Sequence, residues 1–374
     1  MLPVFIKNSI LRDNKELFNM QGNCIFKMPK YNPKKHYKDV AQAKYFHALT
    51  ILRHYIKTTS DYYFGIKQNA KNVDLFMLTS SISSPMGPGS DSEPIRIKFG
   101  ENDTCLVDSS QFGFEPLIIN GFSKVYCYLP SMRGEDSDKR HLNQFYHCEM
   151  EMKGELEGLM TIVEGYVKML CESVLLMKEI TRCISNDYNK TKNILEKTIQ
   201  QKKFRSITFD QAVELLVKNG MKKYVYFTDH GRDISSQGEI ELMKILKADM
   251  PIWLKYFDRD RVPFYQKPDP KNKNKTLNAD LLFPPIIKGS FGGEIAGAGQ
   301  RQDDISEMYE SLKRQDNISA DVYEWYIDLR RSSSYEATSG FGLGIERFIA
   351  WALAQDDIRN VILYPRIKNT ISIP

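Results

Sequence analysis

Near the carboxyl end of the chain, three glycines alternate along one short segment that leads into an apolar run. The segment reads Gly340-Phe-Gly-Leu-Gly-Ile-Glu-Arg347. Alternating glycines leave one face of a strand without side chains, so another group can approach the backbone closely. Arg347 opens the helix-like run that follows, and its guanidinium stays charged and suits bidentate phosphate binding. Taken alone, the glycines are equally compatible with a turn or a bulge.

A second block of charged and aromatic residues lies upstream. It reads Arg133-Gly-Glu135-Asp-Ser-Asp-Lys-Arg140-His141-Leu-Asn-Gln144-Phe145. Two arginines and a histidine near one loop can hold a polyphosphate, and an aromatic ring beside them can stack on a base. The carboxylate of Glu135 can accept a hydrogen bond from an exocyclic amine. By itself, the block is equally compatible with a charged surface hairpin.

Two strings between these blocks carry carboxylates. They read Asp280-Leu-Leu-Phe-Pro and Gly292-Gly-Glu294-Ile-Ala-Gly-Ala-Gly-Gln-Arg301. Carboxylates near a triphosphate suit Mg²⁺, which keeps several waters and bridges phosphate oxygens. The alternative for Glu294 is a surface charge at the end of a strand.

Taken together and in this order, the strings resemble the catalytic domain of class II aminoacyl-tRNA synthetases, and among them asparaginyl-tRNA synthetase. The glycine segment is similar to motif 3, and the charged block is similar to motif 2, whose pattern is Arg-x-Glu, a loop, and Arg-His-Leu-x-Glu-Phe. The resemblance implies an ATP site. Its residues would be Arg133 on the α-phosphate and the reacting carboxylate, Glu135 and Phe145 on adenine, His141 and Arg347 near the outer phosphates, and Arg140, Glu294 and Gly344.

The same resemblance implies a metal and an amino-acid pocket. The string around Glu294 is similar to the family's Gly-Glu-Ile-Ile-Gly-Gly-Ser-Gln-Arg, which implies Mg²⁺ on Glu294 and Asp280 and places Arg301 at the side-chain oxygen of the substrate. About six extra residues separate Asp280 from Glu294 here. Ser90-Asp-Ser-Glu93 resembles a mobile substrate loop, with Glu93 on the α-amino group. Pro85 falls where motif 1 has its proline, at a homodimer interface.

Substrate choice is expected to depend on residues 110–115, which resemble the family's Ser-Gly-Gln-Leu-Asn-Gly-Glu. Gln111 would then contact the substrate amine or carboxylate, and Glu115 would accept a hydrogen bond from a side-chain amide. With Arg301 as donor, Glu115 favours asparagine over aspartate, because a buried mismatch leaves polar groups unpaired. The alternative is that Glu115 only pairs with a nearby cation. Two positions depart from the family: Gln144 replaces a Glu, and Thr338, at the pocket edge, replaces a His.

Composition indicates an ordinary globular protein of 374 residues with a net charge of +5. That charge permits contact with nucleic acid but does not argue for it. Six cysteines stand singly, which disfavours a zinc site and is typical of reduced thiols. We find no leader and no apolar run of membrane-spanning length, so we expect a cytoplasmic protein with no membrane and no DNA partner.

The pattern of apolar residues predicts a mixed α+β domain, and the resemblance implies an antiparallel sheet flanked by helices. Residues 38–374 would form it, with a helical or polar connection at about 184–206, and residues 1–37 would be an extension too short for the family's OB-fold barrel. Helices are expected at 38–57, 151–183 and 209–217. Strands are expected near 73–82, 95–99, 104–107, 124–129 and 251–256.

Three functions remain open at this point. The first is an ATP-dependent ligase that forms the adenylate of asparagine or a close analogue and passes the acyl group to an amine or to tRNA. The second is an asparagine synthetase that activates aspartate for attack by ammonia, which the absence of a barrel favours and Glu115 disfavours. The third is a non-catalytic paralogue with a binding role.

Overall fold

The computed structural model describes residues 1–21, 25–83, 92–315 and 319–373. The helices are α1 Val4–Gln21, α2 His36–Gln42, α3 Lys44–Asp61, α4 Glu115–Ile119, α5 Leu156–Leu176, α6 Lys178–Ile184, α7 Tyr188–Gln200, α8 Phe209–Lys218, α9 Ser236–Ile245, α10 Ile305–Arg314, α11 Glu324–Asp328 and α12 Ile345–Ala352. The strands are β1 Lys71–Asn72, β2 Leu78–Thr79, β3 Arg96–Phe99, β4 Asn102–Leu106, β5 Lys124–Met132, β6 Gln144–Lys153, β7 Arg205–Thr208, β8 Val225–Thr228, β9 Gly231–Ile234, β10 Ile252–Lys255, β11 Pro268–Asp269, β12 Asn272–Thr276, β13 Asn278–Phe283, β14 Gly293–Gln300 and β15 Thr338–Gly344.

One eight-stranded sheet organises the described chain. Its order is β1-β5-β6-β15-β14-β13-β10-β7. The six inner strands pair antiparallel, and each edge strand, β1 and β7, pairs in parallel with its neighbour. The expected antiparallel sheet flanked by helices is therefore confirmed.

The two faces of the sheet differ in chemistry, because successive side chains along a strand point to opposite sides. One face is apolar and packs against α3, α5 and α12 in the main core. Its strand residues include Cys148, Met150, Ala279, Leu281, Ala296, Ala298, Phe341 and Leu343. The opposite face of the same strands carries glycines and carboxylates, namely Glu149, Glu151, Asp280, Gly297, Gly299, Gly340 and Gly342. The functional site is built on this second face.

Most of the expected elements are present. The strands near 95–99, 104–107, 124–129 and 251–256 are β3, β4, β5 and β10, and the helical run after Gly344 is α12. The helix at 209–217 is α8. It begins after Thr208, whose hydroxyl accepts from the Gln211 N–H while the Gln211 side chain accepts from the Thr208 N–H.

Other expectations are wrong or incomplete. The helix predicted from residue 151 begins only at Leu156, because residues 144–153 form β6 and Gly154 turns the chain at a φ of 128°. The helix expected at 38–57 is two helices separated at Ala43. Strand pairing at 73–82 is limited to β2.

Two further segments, the extension at 1–37 and the connection at about 184–206, contain helices. Residues 1–37 contain α1, and Ile6 and Ile10 on this helix are buried in the core together with Leu2, which precedes it. The connection at about 184–206 contains α7, which packs along α5. No helix in the described ranges combines the length and the apolar character that a membrane span requires.

Candidate active site

Four glycines form a floor at the centre of the polar face. They lie opposite each other on β14 and β15 as the pairs Gly297–Gly342 and Gly299–Gly340. A Cβ atom at Gly340 would lie 1.9 Å from Glu151 Oε2, so a side chain there would collide with a buried carboxylate. The close approach expected from the alternating glycines is therefore confirmed.

Two adjoining cavities open above this floor. The first holds about 590 Å³ and the second about 1060 Å³ of space. Arg133, His147, Glu294 and Gly342 line both of them. The two cavities therefore meet beside Arg133.

Arg133 and Phe145 define one end of the first cavity. Arg133 follows β5 directly, and its guanidinium lies over the Phe145 ring at 5.2 Å from the centroid. The loop around them is tied to Glu93, whose carbonyl accepts from the Gly134 N–H at 2.6 Å and whose N–H donates to Glu135 at 3.3 Å. The ring and the Glu135 carboxylate form a wall suited to a flat, amine-bearing base.

Three basic side chains define the other end of the first cavity. Arg140 donates to the Gly292 carbonyl at 2.6 Å and lies over the Phe291 ring. Burial and then the nearby Arg347 charge lower the pKa of both Arg140 and His141. A guanidinium close enough to lower the pKa of its basic neighbours marks a positive field that a polyphosphate would neutralise.

Carboxylates face these cations. A Cβ atom at Gly297 would lie 3.3 Å from Asp280 Oδ1 and 3.7 Å from Glu294 Oε1, so both carboxylates border the same small space. Burial, followed by the Glu294 charge, raises the pKa of Asp280 well above its ordinary value. Burial also opposes ionisation of Glu294, but Arg347, which donates to it at 2.8 Å, and the charges of Arg140 and Arg133 together lower its pKa.

A third carboxylate, Glu239 on α9, was missed from the sequence. Its Oε2 accepts from the Glu294 N–H at 3.0 Å, and burial followed by the Glu294 charge raises its pKa to about 7. The available signal was weak, since Glu239 lies in a short amphipathic helix far from the motif strings.

The carboxylates fit one kind of metal ion. In the described ranges, no three or more His, Cys, Asp or Glu side chains converge as a ready-made metal cage. Asp280 and Glu294 offer two hard oxygen donors beside the basic end of the cavity. This suits Mg²⁺, which takes its remaining ligands from phosphate oxygens and water.

The second cavity contains a buried acid and an oriented amide. Glu149 accepts from the Ser109 hydroxyl at 2.5 Å and from the Ser110 N–H at 2.7 Å, and burial raises its pKa. The Gln111 oxygen accepts from Arg301 Nη2, so its NH₂ group is turned toward Gly342. The sequence identified Gln111 but missed Glu149, which was not recognised as part of a strand.

Glu115 lies outside the lining of both cavities. It is 1% exposed, and Arg330 donates to its two oxygens at 2.9 and 3.0 Å. The Thr338 hydroxyl adds a third hydrogen bond at 2.8 Å. The alternative left open by the sequence, pairing with a cation, is what the structure contains.

Arg301 is buried on the polar face of the sheet, beside Gly340, and does not line either cavity. Its Nε and Nη2 donate to Glu151 at 3.0 and 2.6 Å, and its guanidinium stacks on Tyr265. Glu151 was expected at the start of a helix and is instead the buried partner of Arg301 on β6.

The structure thus brings most of the expected residues together. The first cavity is lined by Arg133, Glu135, Arg140, His141, Phe145, Glu294, Gly344 and Arg347, and the second by Gln111 and Asp280. Gln144 lies in a separate groove beside Arg53 and Tyr146. Pro85 and the segment 84–91 lie outside the described residues.

Comparison with known proteins identifies the family. The model of class II tRNA synthetases for aspartate, lysine and asparagine (D, K and N) matches residues 32–368. The chain belongs to the class II tRNA synthetase family. Its members are ligases.

The chain is similar to two asparagine–tRNA ligases of different origin. It is 33% identical to the enzyme of Pyrococcus abyssi over 274 residues, which cover 72% of this chain and 58% of that protein. It is also 33% identical to the probable cytoplasmic asparagine–tRNA ligase of Encephalitozoon cuniculi, covering 72% of this chain and 57% of that protein. The match therefore spans less than two thirds of the length of either relative.

Solved structures support the same assignment. Asparaginyl-tRNA synthetase from Pyrococcus horikoshii, complexed with asparaginyl-adenylate, superposes with a TM-score of 0.79 at 26% identity, covering 93% of this chain and 76% of that chain. The Entamoeba histolytica asparaginyl-tRNA synthetase shares the fold with a TM-score of 0.72 at 23% identity, over 95% of this chain and 74% of that chain.

Proposed function

We propose that this protein is an ATP-dependent, AMP-forming ligase that converts asparagine or a close analogue into its aminoacyl-adenylate. The observation that carries this proposal is the position of Arg133, which lines both cavities. On one side lies the aromatic wall of Phe145, and on the other the carboxylate of Glu149. A guanidinium between a nucleotide and an amino acid is suited to the charge that develops when the two react.

The reaction would proceed by in-line displacement. A carboxylate oxygen of the amino acid attacks the α-phosphorus of ATP and forms a new P–O bond, while the bond to the β-phosphate oxygen breaks and pyrophosphate leaves. Arg133 would stabilise the charge on the α-phosphate, and Arg140, His141 and Arg347 would hold the departing phosphates. Glu294 and Asp280 would hold a Mg²⁺ ion, which would supply positive charge beside the phosphates. The barrier is lowered by positioning and charge, without a covalent enzyme intermediate.

The amino acid would be oriented by groups of opposite character. Glu149 supplies a buried acceptor for the α-ammonium, with Glu93 as a second acceptor at the edge. The NH₂ group of Gln111 supplies a donor for the carboxylate. We further propose a cytoplasmic homodimer that transfers the acyl group to an amine or to tRNA, by analogy with the family.

The ion pair of Glu115 keeps the asparagine synthetase alternative open. Glu115 was the argument against aspartate, because a free carboxylate would repel the substrate side chain. Arg330 neutralises that carboxylate in the structure. An aspartate side chain activated by ATP and attacked by ammonia would yield asparagine, AMP and pyrophosphate at the same site.

Amino-acid-dependent exchange of labelled pyrophosphate into ATP tests these proposals directly. We expect asparagine to drive exchange, with bulk tRNA or amines then tested as acceptors. Exchange driven by aspartate, with asparagine formed on addition of ammonia, would establish the synthetase instead. No exchange with any standard amino acid, with or without ammonia and tRNA, would contradict both and favour a binding role.

A further inference from the structure

Three side-chain amides line the second cavity, and their oxygens differ in one respect. The Asn278 oxygen accepts from the Phe257 N–H and the Thr276 hydroxyl, and the Gln111 oxygen accepts from Arg301. The Gln266 oxygen is buried, yet no donor in the described part of the chain lies within hydrogen-bond distance of it. A buried carbonyl oxygen without a hydrogen bond is unfavourable and rare in folded proteins, so a partner for it is expected.

The backbone holds Gln266 firmly in place. Its own N–H donates to the Pro263 carbonyl at 2.9 Å. On either side, the Tyr265 carbonyl accepts from the Gln302 N–H at 2.8 Å, and the Lys267 N–H donates to the Gln300 carbonyl at 2.9 Å. This short bridge to the end of β14 directs the side chain over the glycine floor.

Gly299 provides the space that the Gln266 amide occupies. A Cβ atom at Gly299 would lie only 1.9 Å from Gln266 Oε1. The family string Gly-Glu-Ile-Ile-Gly-Gly-Ser-Gln-Arg has a serine at this position, which would exclude the amide from its present place. The glycine in this chain and the glutamine above it are therefore spatially linked.

The amide also lies at the end of the cavity where Arg301 is expected to act. Gly299 pairs directly with Gly340, and a Cβ atom at Gly340 would lie 2.3 Å from Arg301 Nη2. Directly opposed Cβ atoms in a sheet are about 5 Å apart, so Gln266 Oε1 and Arg301 lie within about 10 Å of each other. Arg301 and Glu115 are both engaged by buried partners, whereas the Gln266 oxygen at this end of the cavity has no hydrogen-bond partner in the described part of the chain.

We propose that Gln266 is a specificity residue whose side-chain oxygen accepts a hydrogen bond from the side-chain N–H of an amide-bearing amino acid. A carboxamide provides the donor that this oxygen lacks, whereas the carboxylate of aspartate provides none. This inference rests on the proposed function, since it names the substrate class of the same site. It assigns to Gln266 the discrimination that the sequence had placed on Glu115.

Direct binding measured by calorimetry tests the assignment without requiring catalysis. We expect the full chain to bind asparagine, and Gln266→Met to weaken that binding about 5- to 10-fold, the loss of one neutral hydrogen bond. Aspartate binding should change less than about 2-fold. Gln266→Glu keeps the acceptor and should retain asparagine within about 3-fold while rejecting aspartate more strongly. Gln237→Met, on an exposed face of α9, is the matched control.

A second variant moves the Gln266 amide without changing Gln266 itself. Gly299→Ser should displace the Gln266 amide and weaken asparagine binding by a similar factor, whereas Gly158→Ser, where the nearest atom lies 3.8 Å away, should not. A folded Gln266→Met or Gly299→Ser protein that binds asparagine as the wild type does would overturn the assignment, as would a wild type that binds no amide-bearing amino acid. If the Gln266 assignment is overturned but another amino acid drives pyrophosphate exchange, the ligase proposal remains intact. If the variants change asparagine binding as expected but no amino acid drives pyrophosphate exchange, the assignment of Gln266 is supported and the ligase proposal is refuted.

Discussion

Glu115 and Arg330 form a two-pronged ion pair, with distances of 2.9 and 3.0 Å, between side chains that are 215 residues apart in the sequence. Both side chains are almost fully buried. Arg330 also stacks on Tyr326 and Tyr335 and donates to the Gln302 carbonyl at 2.9 Å. The pair anchors α4, which follows the turn carrying Gln111, to the segment that precedes β15.

Removing one member of this pair should be costly. We expect Arg330→Met to destabilise the protein by about 3–5 kcal/mol, because it leaves the Glu115 carboxylate buried without a partner. Urea unfolding measures the change. Arg331→Met, at an exposed neighbour, should change stability by less than about 0.5 kcal/mol. A double variant with Glu115→Gln should recover part of the loss, and no recovery would show that the cost arises from packing alone.

Gly340→Ala should damage the floor. The new Cβ would lie 1.9 Å from Glu151 Oε2 and 2.3 Å from Arg301 Nη2, so the buried ion pair must move. We expect about 1–3 kcal/mol of lost stability and a marked rise in the KM for the amino acid. Steady-state exchange kinetics provide the measurement, and Gly158→Ala serves as the control. Wild-type kinetics in Gly340→Ala would mean that the floor tolerates a side chain.

Arg347→Ala should abolish most of the ATP chemistry. We expect pyrophosphate exchange to fall about 10²- to 10³-fold, since the variant lacks a preorganised cation at the departing phosphates. Arg347→Lys should recover part of the activity, because it keeps the charge but not the planar fork. Exchange unaffected by Arg347→Ala would refute the assignment of the ATP site. Arg331→Ala is the surface control.

Glu239 predicts a pH dependence of stability. Burial and the Glu294 charge raise its pKa to about 7 in the folded protein, above the value of about 4.3 in an unfolded chain. Between these values the folded state binds more protons than the unfolded state, so this group stabilises the fold at low pH and loses that contribution as pH rises through 7. Because Glu239 is only partly shielded from solvent, we expect a modest effect of about 1–2 kcal/mol.

Glu239→Gln isolates that effect. The amide oxygen can still accept from the Glu294 N–H, but it does not titrate. Urea unfolding of the variant between pH 5 and pH 8 should therefore show a smaller loss of stability with rising pH than the wild type. Identical pH slopes would mean that Glu239 ionises normally in the folded state. Glu241→Gln, on the same helix, controls for the change in net charge.

Most residues of the first cavity could be predicted from the sequence, because they lie in short motifs of consecutive residues. The alternating glycines of β15, the arginine that opens α12 and the cluster from Arg133 to Phe145 each lie within a few consecutive residues. Strand period and backbone freedom then decide which side is open. The expected residues of the first cavity were accordingly brought together by the fold.

Fewer residues of the second cavity could be predicted from the sequence. Glu149 and Glu151 were not assigned to a strand from the sequence, because the strand β6 is followed almost at once by the long helix α5, with Gly154 between them. Glu239 and Gln266 carry no recognisable local pattern. Their significance comes from neighbours that the chain supplies from elsewhere in the sequence.

The sequence by itself determined the fold family, the open face at the alternating glycines and the basic residues of the first cavity, since each depends on short-range pattern. Only the tertiary structure decided which charges are engaged. Glu115 finds Arg330, Arg301 finds Glu151, and Gln266 lies over Gly299 without a donor. The physical reason is that a buried polar group is defined by its partner, and the partners here are brought together by strand pairing and by helix packing across the whole chain.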